Sequence, residues 1–204
     1  LIDITKDAQF ELFDYKYSKC KGIRSYNPFP AITNTSIDNA VELINKAKKP
    51  FIVWGQGVIL GNAEIEFKDF VEKSGIPAAW TILGLSALPT SHELNVGMVG
   101  MHGNYGPNIL TNECDLLIAV GMRFDDRVTG DPNTYASQAK IIHLDIDPAE
   151  INKNINVDVP VIGDCKESLK LITKKIQNKT YGKWISRFDD LMKIEFEKVI
   201  NSDL

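Results

Sequence analysis

Apolar positions along the chain alternate between continuous runs and helically spaced faces. Runs that suit strands buried on both faces occur at residues 51–55, 77–83, 115–121, 139–146 and 159–164. Helical spacing of apolar side chains occurs in three sets: Ile37, Ala40, Val41 and Ile44; Ala63, Phe67, Phe70 and Val71; and Leu169, Ile172 and Ile176. Strands that alternate with helices indicate a parallel sheet. We therefore predict an α/β fold, with a parallel sheet of about five or six strands flanked by helices on both faces.

Local signals refine these elements. Asp147 and Asp164 precede sequences typical of helix starts, so both are predicted N-caps. Ile109, Leu110 and Cys114 suit a short helix before the third strand. The segment 55–62 is predicted to be a turn, and the glycine-rich stretch after the second strand, up to Gly106, is predicted to be a loop.

Three boundaries follow from the pattern. Weak periodicity and the prolines at 28 and 30 predict a linker at 10–34, before a nucleotide-binding domain at 35–178. The amphipathic stretch 179–204 is predicted to be a C-terminal linker helix. Because the chain opens without methionine, we expect a segment of a larger protein.

Composition excludes several classes of function. A net charge of -4, with no basic run, gives no reason to expect binding to nucleic acid or to a membrane surface. No apolar run approaches membrane-spanning length. The three cysteines are far apart and form no C-x-x-C pair. This argues against a disulfide framework or a zinc site and favours a cytoplasmic protein.

The chemistry concentrates in the loops that follow the strands. In open parallel sheets, ligands bind beyond the carboxyl ends of the strands, where glycines expose backbone N–H groups. Arg123 and Arg127, after the third strand, can neutralise a pyrophosphate, and Asp145 can accept from ribose hydroxyls. Met98, Met101 and His102 suit the edge of a flat ring. Without a nucleophile elbow, a metal-ligand cluster or a carboxylate pair, these parts predict a dinucleotide site rather than a catalytic one.

Each part also has a simpler explanation. The glycine pair at 55 and 57 lacks the third glycine of the dinucleotide fingerprint and is, on its own, more typical of a plain turn. Asp125 and Asp126 can simply pair with the two arginines. Asp164 can serve only as a helix cap. His102 can be an ordinary loop histidine, and His92 and His143 are expected to be structural or solvated.

Longer motifs narrow the choice. Four motifs occur along the chain in this order: GMVGMHGNYGPN, CDLLIAVGMRFDDRVTG, IIHLDIDPAEINKN and VPVIGD. Together they resemble the central domain of acetohydroxyacid synthase, also called acetolactate synthase. Residues 1–9 resemble the end of the preceding pyrimidine-binding domain of that family. The resemblance implies a Rossmann-like domain that binds FAD, in a parent enzyme that also uses thiamine diphosphate and Mg2+. It further implies contacts with the other domains of the parent chain, a homo-oligomer and a candidate regulatory subunit.

Carried over by motif, the resemblance implies a set of FAD-binding residues. These are Gly55, Gln56, Gly57, Thr81, Ile82, Leu83, Met98, Gly100, Met101, His102, Gly121, Met122, Arg123, Asp125, Arg127, Val128, Asp145, Ile146, Asp164 and Cys165. Gln56 and Met122 depart from the residues common in the family. The family's catalytic glutamate and metal–diphosphate motif belong to other domains, so the segment alone is expected to be inactive, with no catalytic residue and no metal ligand.

Three readings remain open at this point. The first is the FAD-binding central domain of an acetolactate synthase, whose parent condenses pyruvate with a second 2-oxo acid in branched-chain amino-acid synthesis. The second is the central domain of another thiamine-diphosphate enzyme, or an independent NAD- or FAD-binding module. The third is a structural scaffold that has lost its cofactor.

Overall fold

The computed structural model describes residues 2–23 and 26–200. Residues 1, 24–25 and 201–204, which belong to the predicted end segments and linker, lie outside the described residues. The helices are α1 (Lys6–Phe10), α2 (Asn34–Lys46), α3 (Gln56–Leu60), α4 (Glu64–Ser74), α5 (Tyr105–Thr111), α6 (Asp126–Thr129), α7 (Cys165–Lys175) and α8 (Gly182–Glu195). The strands are β1 (Pro50–Trp54), β2 (Ala78–Trp80), β3 (Asn95–Met98), β4 (Leu116–Val120), β5 (Lys140–Asp145) and β6 (Val159–Ile162).

The strands form one six-stranded sheet in the order β3-β2-β1-β4-β5-β6, and all their pairings are parallel. This confirms the predicted α/β class. The two central strands, β1 and β4, are buried along their whole length because helices cover both faces of the sheet. The order reverses between β1 and β4, and that switch point is where ligands bind in sheets of this type.

Aromatic side chains show which helices cover each face. Trp54 contacts Phe67 of α4 at a ring-centroid distance of 5.1 Å, and α4 packs on α7, which also contacts α2. On the opposite face, Phe51 contacts Phe188 of α8 at 5.2 Å, and α8 packs on α5. Helix α8 is thus tied to the sheet, and the indole Nε1 of its Trp184 donates to the Pro50 carbonyl at 2.8 Å.

Several local predictions need correction. The predicted loop after β2 contains the edge strand β3, whose short sequence NVGM has no apolar alternation to reveal it. Its amides at Gly97 and Met98 are bonded by the side-chain oxygens of Asn95 and Asn104. The predicted turn at 55–62 is mostly the helix α3. The second strand stops at Trp80, before a 3-10 turn at Ile82–Gly84.

The predicted N-caps behave differently from each other. Asp164 accepts from the Glu167 amide at 3.0 Å and starts α7, an eleven-residue helix. Asp147 accepts from the Ala149 amide at 2.9 Å, but only one 3-10 turn follows, Pro148–Glu150.

Residues 2–23 contribute nothing to the core. Apart from α1 they form no regular element, and every side chain in this stretch is exposed. None of the described helices has the length and apolar character needed to cross a bilayer.

Candidate cofactor site

The loops after β1 and β4 contact each other at the switch point through main-chain atoms. The Gly55 amide donates to the Val120 carbonyl at 3.0 Å, and the Gly57 amide donates to the Gly121 carbonyl at 2.8 Å. A Cβ added to Gly57 would lie 2.6 Å from the Gly121 Cα, closer than real Cβ atoms approach backbone. Gly121 has a φ of 56°, which glycine adopts at little cost. These glycines are therefore required by the contact between the two loops, whatever they also offer to a ligand.

A cleft of about 520 Å³ opens above this contact. It is lined by Gly55, Gln56, Gly57, Leu60, Thr81, Ile82, Leu83, Met98, Val99, Gly100, Met101, His102, Gly121, Met122, Arg123, Asp125, Arg127, Val128, Asp145 and Glu150. The fold thus brings together every predicted site residue except Ile146, Asp164 and Cys165. Sequence reasoning missed Leu60, Val99 and Glu150. Leu60 could have been found had the segment at 55–62 been recognised as a helix, since it then lies one turn beyond Gln56.

The three remaining predicted residues lie outside the lining of the cleft. Ile146 follows Asp145 directly and is exposed. Asp164 serves as the N-cap of α7, as the simpler reading of this residue proposed. Cys165 is half-buried at the start of that helix. Burial raises the pKa of the Cys165 thiol to about 12, and the nearby carboxylates of Asp164, Asp145 and Glu66 add to the effect.

The loop from 121 to 130 carries the charge of the cleft. Arg123 Nε lies 3.1 Å from Asp125 Oδ2, and this is an exposed pair, because 69% of the Arg123 side chain is accessible. Such a pair contributes only about 0–1 kcal/mol to stability. The other carboxylate oxygen, Asp125 Oδ1, is buried and accepts no hydrogen bond from the part of the chain that the structure describes. Asp126 instead begins α6.

Arg127 has a different environment. Its Nη1 lies 3.8 Å from the sulfur of Met101. Among the described residues, no carboxylate lies within 4.0 Å of its guanidinium group, whereas Arg123 has Asp125. The guanidinium is therefore available to an anion in the cleft.

The glycine-rich loop after β3 is hydrogen-bonded to the loop from 121 to 130, called the arginine loop below. The Met101 amide donates to the Arg127 carbonyl at 2.8 Å, and a Cβ on Gly100 would meet the same carbonyl at 2.7 Å. The side chain of Asn108 bonds both the N–H and the C=O of Gly100, each at 2.9 Å. Met101 and His102 are therefore exposed at the rim of the cleft on a well-held backbone.

The two ends of the cleft differ in polarity. At the tip of β5, the Asp145 side chain is only 14% exposed, and its Oδ1 accepts from the Asp147 amide at 2.9 Å. Toward β1 and β2, Leu60, Ile82 and Leu83 are 72%, 67% and 62% exposed. Large apolar side chains grouped at a cleft are typical of a surface that a ligand or another domain covers.

The described residues contain no group of three or more His, Cys, Asp or Glu side chains that could hold a metal ion. The cleft is lined by two arginines, by glycine backbone and by apolar side chains. This composition suits binding of an extended, partly aromatic anion.

Comparison with known proteins assigns the domain. The family described as thiamine pyrophosphate enzyme, central domain, matches residues 37–172, which include both loops of the switch point. The chain belongs to this family. This domain is similar in sequence to large subunits of acetolactate synthase, which agrees with the resemblance of its loop motifs.

Two relatives illustrate this similarity. The acetolactate synthase large subunit of Corynebacterium glutamicum is 44% identical over 194 residues, covering 95% of this chain and 31% of that protein. The probable acetolactate synthase large subunit of Methanococcus aeolicus is 46% identical over 179 residues, covering 86% of this chain and 30% of that protein. The chain thus spans about a third of the length of these relatives.

Proposed function

We propose that the cleft at the switch point binds FAD. The observation that carries this proposal is the convergence of two arginines, glycine backbone and an apolar flank on one cleft at the reversal of strand order. FAD combines a doubly charged pyrophosphate with two flat ring systems, so it needs all three kinds of surface. Arg127, which has no carboxylate neighbour among the described residues, fits the pyrophosphate especially well.

The residues divide by the part of FAD they would meet. Arg123 and Arg127 hold the pyrophosphate, while the backbone of residues 55–57 approaches it closely. Met98 and Met101, with Ile82 and Leu83, form a soft apolar surface for the flavin. Asp145, at the strand tip, accepts from ribose hydroxyls. These roles match the geometry of the cleft but do not extend to Ile146, Asp164 and Cys165, which lie outside its lining.

The whole protein is proposed to be an acetolactate synthase. It would decarboxylate pyruvate and join the resulting two-carbon unit to a second 2-oxo acid, in branched-chain amino-acid synthesis. Thiamine diphosphate and Mg2+ would be bound by domains outside this chain. The partners of this domain would be those domains, further copies of the same subunit and a regulatory subunit. The protein would act in the cytoplasm.

The proposed domain bounds follow the sequence prediction. Residues 1–9 would end the preceding domain, 10–34 would link it to the FAD-binding domain at 35–178, and 179–204 would form a C-terminal linker helix.

A titration with FAD, followed by flavin absorbance and fluorescence and with NAD as a control ligand, tests the proposal. We expect FAD-selective binding that Arg127→Ala weakens roughly ten- to a hundredfold, because a hydrogen bond to a charged group contributes roughly 1.5–3 kcal/mol. Arg187→Ala is the control: this arginine is also exposed, but it is paired with Glu113 at 3.4 Å and lies outside the cleft. If neither this chain nor the full-length subunit bound FAD, the proposal would be wrong.

A further inference from the structure

His143 lies in the sheet beneath the arginine loop and bonds to it directly. The side chain is fully buried in β5, and its Nε2 lies 2.8 Å from the Met122 carbonyl oxygen. A carbonyl oxygen can only accept, so Nε2 must be the donor. The second ring nitrogen, Nδ1, is buried and has no hydrogen-bond partner among the described residues. Asp145 Oδ2 is the more distant neighbour of Nε2, at 3.6 Å, so among the described residues the hydrogen bond of this ring is directed at the loop that follows the neighbouring strand.

The same ring supports a second residue of the loop. Phe124 packs edge-on against the imidazole at a centroid distance of 5.0 Å. The Phe124 carbonyl accepts from Asn154 Nδ2 at 2.6 Å. Met122 and Phe124 are each only 4% exposed, so both are held against the body of the domain.

Arg123 lies between these two held residues and faces the other way. Its side chain is 69% exposed and lines the cleft, whereas both neighbours are buried. An arginine between two anchored residues has less freedom to leave the cleft, and a guanidinium that is oriented in advance binds an anion with less loss of entropy.

We infer that His143 is a positioning residue for Arg123: its hydrogen bond to the Met122 carbonyl and its contact with Phe124 hold the arginine over the cleft. The ligand in this inference rests on the proposed FAD function. The tethering of the loop does not depend on it. A histidine is needed for two reasons, since an apolar residue would leave the Met122 carbonyl unsatisfied and a short polar residue would not support Phe124.

Two substitutions at this position separate positioning from packing. His143→Leu keeps most of the volume but removes the donor, whereas His143→Gln places an amide N–H at about the reach of Nε2. His92→Leu is the matched control, because it also removes a histidine hydrogen bond, to the Leu94 amide at 3.2 Å, but outside the cleft.

The first measurement is amide hydrogen exchange of residues 122–125 without ligand. We expect faster exchange in His143→Leu and near-normal exchange in His143→Gln and His92→Leu, with the β1–β2 region unchanged throughout. Unchanged exchange of residues 122–125 in His143→Leu would overturn the inference. If His143→Leu does not fold, His143→Asn replaces it, because its shorter amide does not reach the Met122 carbonyl.

The second measurement is FAD affinity, alone and combined with Arg123→Ala. We expect His143→Leu to weaken FAD binding roughly two- to tenfold, the loss of one hydrogen bond. In the Arg123→Ala background the same change should have no further effect, because His143 acts through that arginine. An equal loss in both backgrounds would refute the positioning role. Absence of FAD binding by both the unaltered chain and the unaltered full-length subunit would refute the proposed function, while the exchange measurement would still decide whether His143 holds the loop.

Discussion

Replacing Gly57 with alanine is expected to destabilise the domain, although the same change within a helix usually stabilises it. Gly57 is the second residue of α3, where alanine would ordinarily gain about 0.5–1 kcal/mol. Here the new Cβ would lie 2.6 Å from the Gly121 Cα and 2.8 Å from the Gly121 carbonyl oxygen. Carbon atoms in contact prefer about 3.5–4.0 Å, so the two loops would have to separate by roughly 1 Å.

That separation has an estimable cost. Overpacking costs about 1–3 kcal/mol, and stretching the Gly57–Gly121 hydrogen bond costs about 1 kcal/mol more. After the helical gain is subtracted, we expect a net loss of roughly 1–3 kcal/mol in the free energy of unfolding. Denaturant unfolding, monitored by tryptophan fluorescence and far-ultraviolet circular dichroism, measures this loss.

Gly182→Ala provides the opposite case in the same experiment. Gly182 is the first residue of α8, and no atom of residues 2–23 or 26–200 outside its chain neighbours and its own helix lies within 4 Å of its added Cβ. This variant should be more stable than the unaltered protein by about 0.4–1 kcal/mol. Should Gly57→Ala prove as stable as Gly182→Ala, the close backbone contact at the switch point would not be a constraint, and the reasoning above would fail.

Two further predictions concern the core and the thiols. Phe188→Ala should lower the free energy of unfolding by about 3–5 kcal/mol, because this ring is only 1% exposed and packs on Phe51. The same denaturant assay measures the loss, and a change near zero would mean that α8 does not stabilise the sheet. At pH 8, a thiol reagent should modify the exposed Cys20 rapidly, the half-buried Cys165 more slowly and the buried Cys114 only on unfolding, since burial raises the pKa of the latter two thiols to about 12. Rapid modification of all three thiols would contradict this.

Sequence reasoning succeeded where the signal was local. The buried strands β1, β4 and β5 were predicted because their apolar runs are continuous, and α7 because its cap and buried face agree. It failed at β3, whose four residues include a glycine with a φ of 107° and show no alternation. Pairing with β2 alone makes that segment a strand, and pairing is not a local property.

The candidate site shows the same division. Glycines and arginines after strands predicted which loops would meet, because the carboxyl ends of parallel strands share one edge of the sheet. The sequence did not reveal that positions 57 and 121 must both be glycine because their backbones lie in close contact. Nor did it reveal that Asp125, rather than Asp126, pairs with an arginine, or that His143 contacts the loop after β4.

By itself, then, the sequence determined the class of fold, the identity of the cleft loops and the kinship with acetolactate synthase subunits. These depend on periodicity, turn residues and motifs, which are properties of neighbours along the chain. The tertiary structure decided the contact at the switch point, the lack of a carboxylate beside Arg127 among the described residues and the anchoring of Arg123. Each of these depends on distances between atoms that are far apart in sequence, and only the packed sheet brings those atoms together.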